Sequence, residues 1–140
     1  MLQFTKPYYE KAKSYQTEQE QHFHSLYSRT KSRAKRKSWE FDLTLEWLKE
    51  KYNKRICEAT GIPFSLEKIE NPNDSEALIK RPFAPSIDRI DSTKGYTQSN
   101  CQLVTWQYNQ MKYLWSHKEL IKFCRAVLIA EAAKKIQVSN

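Results

Sequence analysis

The chain has 140 residues, with 24 Lys and Arg against 16 Asp and Glu and a formal net charge of +8. That length suits one domain rather than two, burying roughly two thirds of the unfolded surface, and 39% hydrophobic residues with 13% aromatics supply a core and exclude wholesale disorder. No stretch reaches the ~18 apolar residues that span a bilayer and Met1–Pro7 lacks the pattern of a secretory leader, so the expected location is cytoplasmic, and the positive balance favours a polyanion such as nucleic acid over an anionic membrane face.

Residues 17–37 contain no glycine or proline, and Phe23, Leu26, Tyr27 and Thr30 recur at helical spacing, which predicts a helix with one modest apolar face. Its end carries Arg29, Lys31, Arg33, Lys35, Arg36 and Lys37, six cations within nine residues. A solvated helix end favourable to its own dipole is the plain explanation. Contact with phosphates is the stronger one, because the charge exceeds what a helix terminus requires. A second helix is predicted over about residues 43–53, capped by Asp42 or Thr44, with Leu45, Leu48, Tyr52 and Trp47 as core. Cys57–Phe64 predicts a turn into an extended piece. Residues 65–82, with Asn71-Pro-Asn-Asp74 and Arg81-Pro82, predict a surface connection and the least ordered part of the chain.

Residues 84–112, APSIDRIDSTKGYTQSNCQLVTWQYNQMK, hold the densest chemistry. Ile87 and Ile90 flank Asp88 and Arg89, and Leu103 and Val104 follow Asn100, which predicts two short strands around a turn at 92–96, then a helix from about Thr105 bearing Asn109 and Lys112. Gly95, one of two glycines in the chain, suits that turn. A hairpin packed on the helix would bring Asp88 and Asn109 together as hard oxygen ligands, which suit Mg²⁺ or Mn²⁺. Ser116-His-Lys-Glu119 fits a capping box. Leu120, Cys124, Val127 and Leu128 then mark the apolar face of a helix reaching about Lys135 and packed on the domain.

Three widely spaced cysteines, Cys57, Cys101 and Cys124, give neither a disulfide framework nor a complete zinc site and are expected to be reduced. His22 and His24, two apart on a helix, cannot share a face, so they make no metal pair.

The pattern Ser-Ile-Asp-Arg-Ile-Asp…Lys-Gly-Tyr…Asn…Asn-x-x-Lys resembles the ββα-metal motif of the HNH (His-Me finger) endonucleases, in a degenerate phage-type variant, over about residues 57–112. The resemblance implies that Asp88 is the first metal ligand, Asn100 the asparagine that fixes the loop, Asn109 the ligand on the helix and Lys112 the basic residue one turn on. It implies DNA as partner and hydrolysis of its phosphodiester bonds with one divalent ion, Mg²⁺ or Mn²⁺, with Arg89 or Lys112 offsetting transition-state charge. Two positions depart from the family. Arg89 stands where the family places its water-activating histidine, and a guanidinium stays protonated and is no base. The positions of the family's two zinc knuckles are Cys57, Thr60, Thr105 and Tyr108, so no structural zinc is expected, and Trp106, Tyr108 and Trp115 are expected to fill that space. Asp91 is a candidate for activating water, weighed against capping the turn through Ser92 and Thr93. His117 is a weaker candidate, weighed against simple exposure.

The resulting expectation is an α+β protein with a small HNH-like ββα core and flanking helices. Residues 1–37 would form a basic helical N-terminal arm, and residues 38–140 the ββα domain with its C-terminal helix. The expected function is a metal-dependent DNA endonuclease with Asp88, Arg89, Asn109 and Lys112 at the catalytic centre, Asp88 and Asn109 holding the metal, the six cations of 29–37 on the nucleic acid, and Asn100 and Gly95 structural. The alternative is a non-catalytic nucleic-acid-binding protein on a degenerate HNH scaffold. A basic adaptor that binds a protein partner through exposed aromatics is the third.

Overall fold

The computed structural model describes residues 18–69 and 81–139. The expectations placed on the first 17 residues and on Asn71–Asp74 lie outside the described residues. In chain order the elements are α1 (Glu18–Lys37), α2 (Leu45–Tyr52), β1 (Pro85–Arg89), β2 (Cys101–Thr105), α3 (Trp106–Lys112) and α4 (His117–Val138). The two strands pair antiparallel, with Pro85 opposite Thr105 and Asp88 opposite Gln102.

The pleat sorts the strands' side chains onto two faces. Ile87 and Leu103 enter one buried cluster with Ala34, Leu43, Trp47, Leu48, Tyr96 and Cys101. Val104 points the other way, into a second cluster with Cys57, Tyr108 and Leu120. Ser86 and Asp88 alternate with Ile87 and meet α3, so both faces of β1 are covered, and its first four residues are all buried. Because α1 contributes Ala34 to the first cluster, with Leu26 and Tyr27 packed against it, the helix is joined to the body through its apolar face.

Local sequence explains the boundaries. Ser38 takes a left-handed φ of 55°; its amide bonds to Lys35 O and that of Trp39 to Ala34 O, the paired bonds of a Schellman stop after α1. Thr44 caps α2 by accepting from the Trp47 amide. Gly95 is needed for a reason other than a left-handed turn: a Cβ there would collide with the carbonyl oxygen of Glu40. The Tyr96 amide bonds to that same oxygen at 2.9 Å, so Gly95 admits the strand-like segment after α1 to the loop of the hairpin. Glu58 holds the Cys57–Phe64 segment to β2, its carboxylate accepting from the Leu103 amide and its own amide bonding to Leu103 O.

The expected packing of the last helix holds only for its start. Ser116 and Glu119 form the capping box, Leu120 is buried and Cys124 half-buried, but every described residue after Cys124 is exposed. The run Ala126-Val-Leu-Ile-Ala130 distributes apolar surface all round the helix, so no single face is directed onto the body.

Candidate functional site

Asn109 and Lys112 are three apart on α3 and therefore share a face, the one lying on Ser86 and Asp88. Asn109 Nδ2 donates to Ser86 Oγ at 2.8 Å and to Ile87 O at 3.0 Å. Lys112 Nζ donates to Asp88 Oδ1 at 3.0 Å and to Arg89 O at 2.9 Å. The second Asp88 oxygen accepts from Gln102 Nε2 at 2.9 Å, the residue directly opposite on β2. The side chains of Lys112 and Asp88 are 1% and 3% exposed. This is a buried ion pair in which the ammonium and both carboxylate oxygens are engaged, and breaking it from one side would leave an uncompensated buried charge.

Arg89 occupies the end of β1 as a clamp. Its guanidinium carbon lies 3.9 Å from the Trp39 ring centroid and 5.1 Å from that of Tyr96, and Nη1 donates to Lys94 O at 2.9 Å. Stacked cations of this kind gain from the ring quadrupole. Asn100 ties the hairpin loop: its Oδ1 accepts from the Asp91 amide, and its Nδ2 donates to Asp91 O and Gly95 O. Asp91 turns inward on its own loop, where Thr93 donates to its Oδ1 through both amide and hydroxyl. Those bonds hold its carboxyl below the ordinary aspartate value, which makes it a weak proton acceptor. His117 Nδ1 lies 2.8 Å from Tyr108 Oη, so its ring is engaged by the second cluster.

At the expected knuckle positions, Cys57 Sγ accepts from the Thr105 amide at 3.4 Å. Burial raises this thiol's pKa, but hydrogen bonds from Thr60, Thr105 and Ala59 outweigh it and bring the pKa below the ordinary value. Tyr108 fills the neighbouring space, and burial pushes its hydroxyl up to about 12. Trp106 and Trp115 do not help to fill it. Trp106 lines a groove against α1, and Trp115 is 61% exposed. The correction follows from helix geometry, since residues two apart on α3 diverge and Trp115 lies beyond its end.

That groove, of about 470 Å³, runs between α1 and the β1–α3 face and is lined by His22, Arg29, Arg33, Arg81, Ser86 and Asn109 among others. Arg33 and Asn109 also line the adjoining pocket that holds Asp88 and Arg89, so the two spaces meet at those residues. Arg29, Arg33 and Arg36 recur at four- and three-residue spacing and border one further depression on α1, forming a stripe. Lys31 instead sits over the Tyr27 ring, and Lys35 and Lys37 are exposed. Arg33 Nη1 donates to Tyr96 Oη at 3.3 Å, and Arg81 is paired with Glu18 at 2.7 Å. His22 Nε2 lies 2.8 Å from Pro85 O; burial lowers its pKa, leaving a neutral ring in the groove at neutral pH. Sequence alone does not assign Arg81 or His22 to this groove. The only signal for it is the i, i+4, i+7 relation of Arg29 with Arg33 and Arg36, and the seven-residue spacing of His22 from Arg29.

A divalent ion on Asp88 and Asn109, as the resemblance implies, does not fit these donors. Asp88 is 2% exposed and both its oxygens are occupied, one by an ammonium at the place a cation would take. Asn109 is oriented by its Nδ2, which donates to Ser86 and Ile87 and leaves only its Oδ1 as a ligand. Among the described residues there is no group of three or more His, Cys, Asp or Glu that would hold a metal, and one carboxylate already neutralised is a poor basis for Mg²⁺.

No family model matches the chain. An uncharacterised 29.0 kDa protein of the dda-modA intergenic region of Enterobacteria phage T4 is 29% identical over 93 residues, which are 66% of this chain and 33% of that protein; the chain thus spans about a third of the relative it matches. Among solved structures, the rare-cutting HNH restriction endonuclease PacI, described for a mechanism of DNA perturbation, matches with a TM-score of 0.55 and 20% identity over 81% of each chain. The fold is therefore the α+β, HNH-like ββα fold. Among the described residues no helix is long and apolar enough to cross a membrane.

Proposed function

We propose that this chain binds the phosphate backbone of DNA along the groove between α1 and the β1–α3 face, on a scaffold of nuclease type. The observation that carries the reading is the convergence of Arg29, Arg33 and Arg81 on one open groove floored by Ser86 and Asn109. Guanidinium groups match phosphate oxygens in a planar fork, and the polar floor supplies weaker contacts that fix register. The net charge of +8 adds long-range attraction for a polyanion. The likeness to an endonuclease described for its action on DNA supports the choice of DNA. Fluorescence anisotropy with a labelled duplex tests the proposal: R29A/R33A should weaken binding by about tenfold or more at moderate salt, whereas equal affinity of variant and wild type would refute it.

A second reading, cleavage of the bound phosphodiester, is favoured by one arrangement: Arg33 and Asn109 belong both to the groove and to the pocket containing Asp88 and Arg89. A phosphate held by Arg33 would then lie beside that pocket, with Arg89 able to offset developing charge. Hydrolysis also needs activated water, and neither the stacked Arg89 nor the hydrogen-bonded Asp91 is suited to provide it. Plasmid nicking with Mg²⁺ or Mn²⁺ separates the readings. Cleavage that needs the ion and disappears in D88N/K112M supports an endonuclease; bound but intact plasmid supports binding alone. The double variant is preferable to D88A, which leaves Lys112 buried without its partner.

A further inference from the structure

We infer that Lys112 is a built-in cation that takes the place of a divalent ion at Asp88. Its ammonium contacts Asp88 Oδ1 and Arg89 O at 3.0 and 2.9 Å, so it bridges a carboxylate and a backbone carbonyl, both of them oxygen donors that a hard cation would otherwise select. The lysine side chain is among the largest fully buried ones in the protein, and its stem is held inside rather than free to swing into solvent. It stands in the last turn of α3, where the helix dipole favours positive charge. Gln102 closes the remaining carboxylate oxygen. An incoming Mg²⁺, which dehydrates reluctantly, would have to displace a buried ammonium from both of its oxygen partners.

The pair thereby fixes α3 on β1 without a metal and sets the position of Asn109, one turn back along the same face. This role does not depend on whether the groove binds DNA. At this site the ammonium occupies the two oxygens, Asp88 Oδ1 and Arg89 O, that a cation would need, and removing it frees both.

Mn²⁺ affinity, measured by electron paramagnetic resonance of the free ion, tests this on the wild type, K112M and D88N/K112M, each first shown to be folded by circular dichroism. Exposed carboxylates such as Asp91 are common to all three and cancel. Wild type and D88N/K112M should hold Mn²⁺ equally, within about twofold, while K112M should gain one site at least about tenfold tighter. A wild-type site that D88N/K112M loses would overturn the inference, as would a folded K112M with no added site. If K112M does not fold, the comparison of wild type with D88N/K112M decides alone, since that variant removes both charges together.

Discussion

A buried lysine and a buried aspartate, each costly to place in a core alone, share one hydrogen-bonded site between β1 and α3. Removing one partner exposes the cost of the other: D88A should lose about 3–5 kcal/mol of stability in urea unfolding, and D88N/K112M clearly less than D88A. Near-equal losses in the two variants would show that the pair does not act as one energetic unit. Asp88 and Lys112 are both legible as chemistry-bearing residues from their places in Asp-Arg…Asn-x-x-Lys. Their engagement with each other is not, because they lie 24 residues apart and only the packing of α3 brings them together. His22 supplies a second residue-scale prediction. Burial depresses its folded-state pKa, opposed in part by the Pro85 carbonyl, so the unfolded state takes up a proton first as pH falls. Its contribution to stability is fully present above the unfolded value of about 6.5 and declines below it until the folded pKa is also crossed. Urea midpoints at pH 7.5 and 5.5 should diverge more in wild type than in H22Q; equal divergence would contradict the assignment.

Among the elements, the helices and the hairpin are legible where a periodicity or a cap marks them. Thr44 and the Ser116–Glu119 box start α2 and α4 as the sequence indicates, and the Asn100 side chain closes the loop between the strands. Where α4 stops packing is not legible. Its apolar residues are dense but encircle the helix, and among the described residues the body receives Leu120 and the half-buried Ile121 and Cys124. Phe123, Leu128 and Ile129 remain 68%, 69% and 71% exposed. Deleting the chain from Ala126 onward should therefore shift stability by less than about 1 kcal/mol, read as an unchanged urea midpoint; a large drop would mean that this half of α4 is anchored to the body after all. Gly95 does stand in the hairpin loop, as its sequence context suggests, but for a different cause: the close approach of the Glu40 backbone, which no local pattern encodes.

At the scale of the molecule, the excess of positive charge is organised rather than spread. The ion pairs Lys51–Glu58, Lys94–Asp91 and Lys134–Glu131 involve no residue of α1 and Arg81–Glu18 joins its first residue, while Arg29, Arg33 and Arg36 align along it toward the pocket of Asp88 and Asn109. The HNH-like fold supplies the frame, and its β1–α3 face holds an internal salt bridge flanked by a stacked arginine. A DNA strand lying in the groove would be held mainly through phosphates, a mode in which affinity falls steeply with salt. The dependence of log K on log salt for a duplex, compared between wild type and R29A/R33A/R81A, tests this most directly. Phosphate binding in the groove predicts a steep wild-type slope that becomes shallower by about 2.7 in the variant, at about 0.9 for each phosphate no longer neutralised. A slope that is the same in both proteins would contradict it.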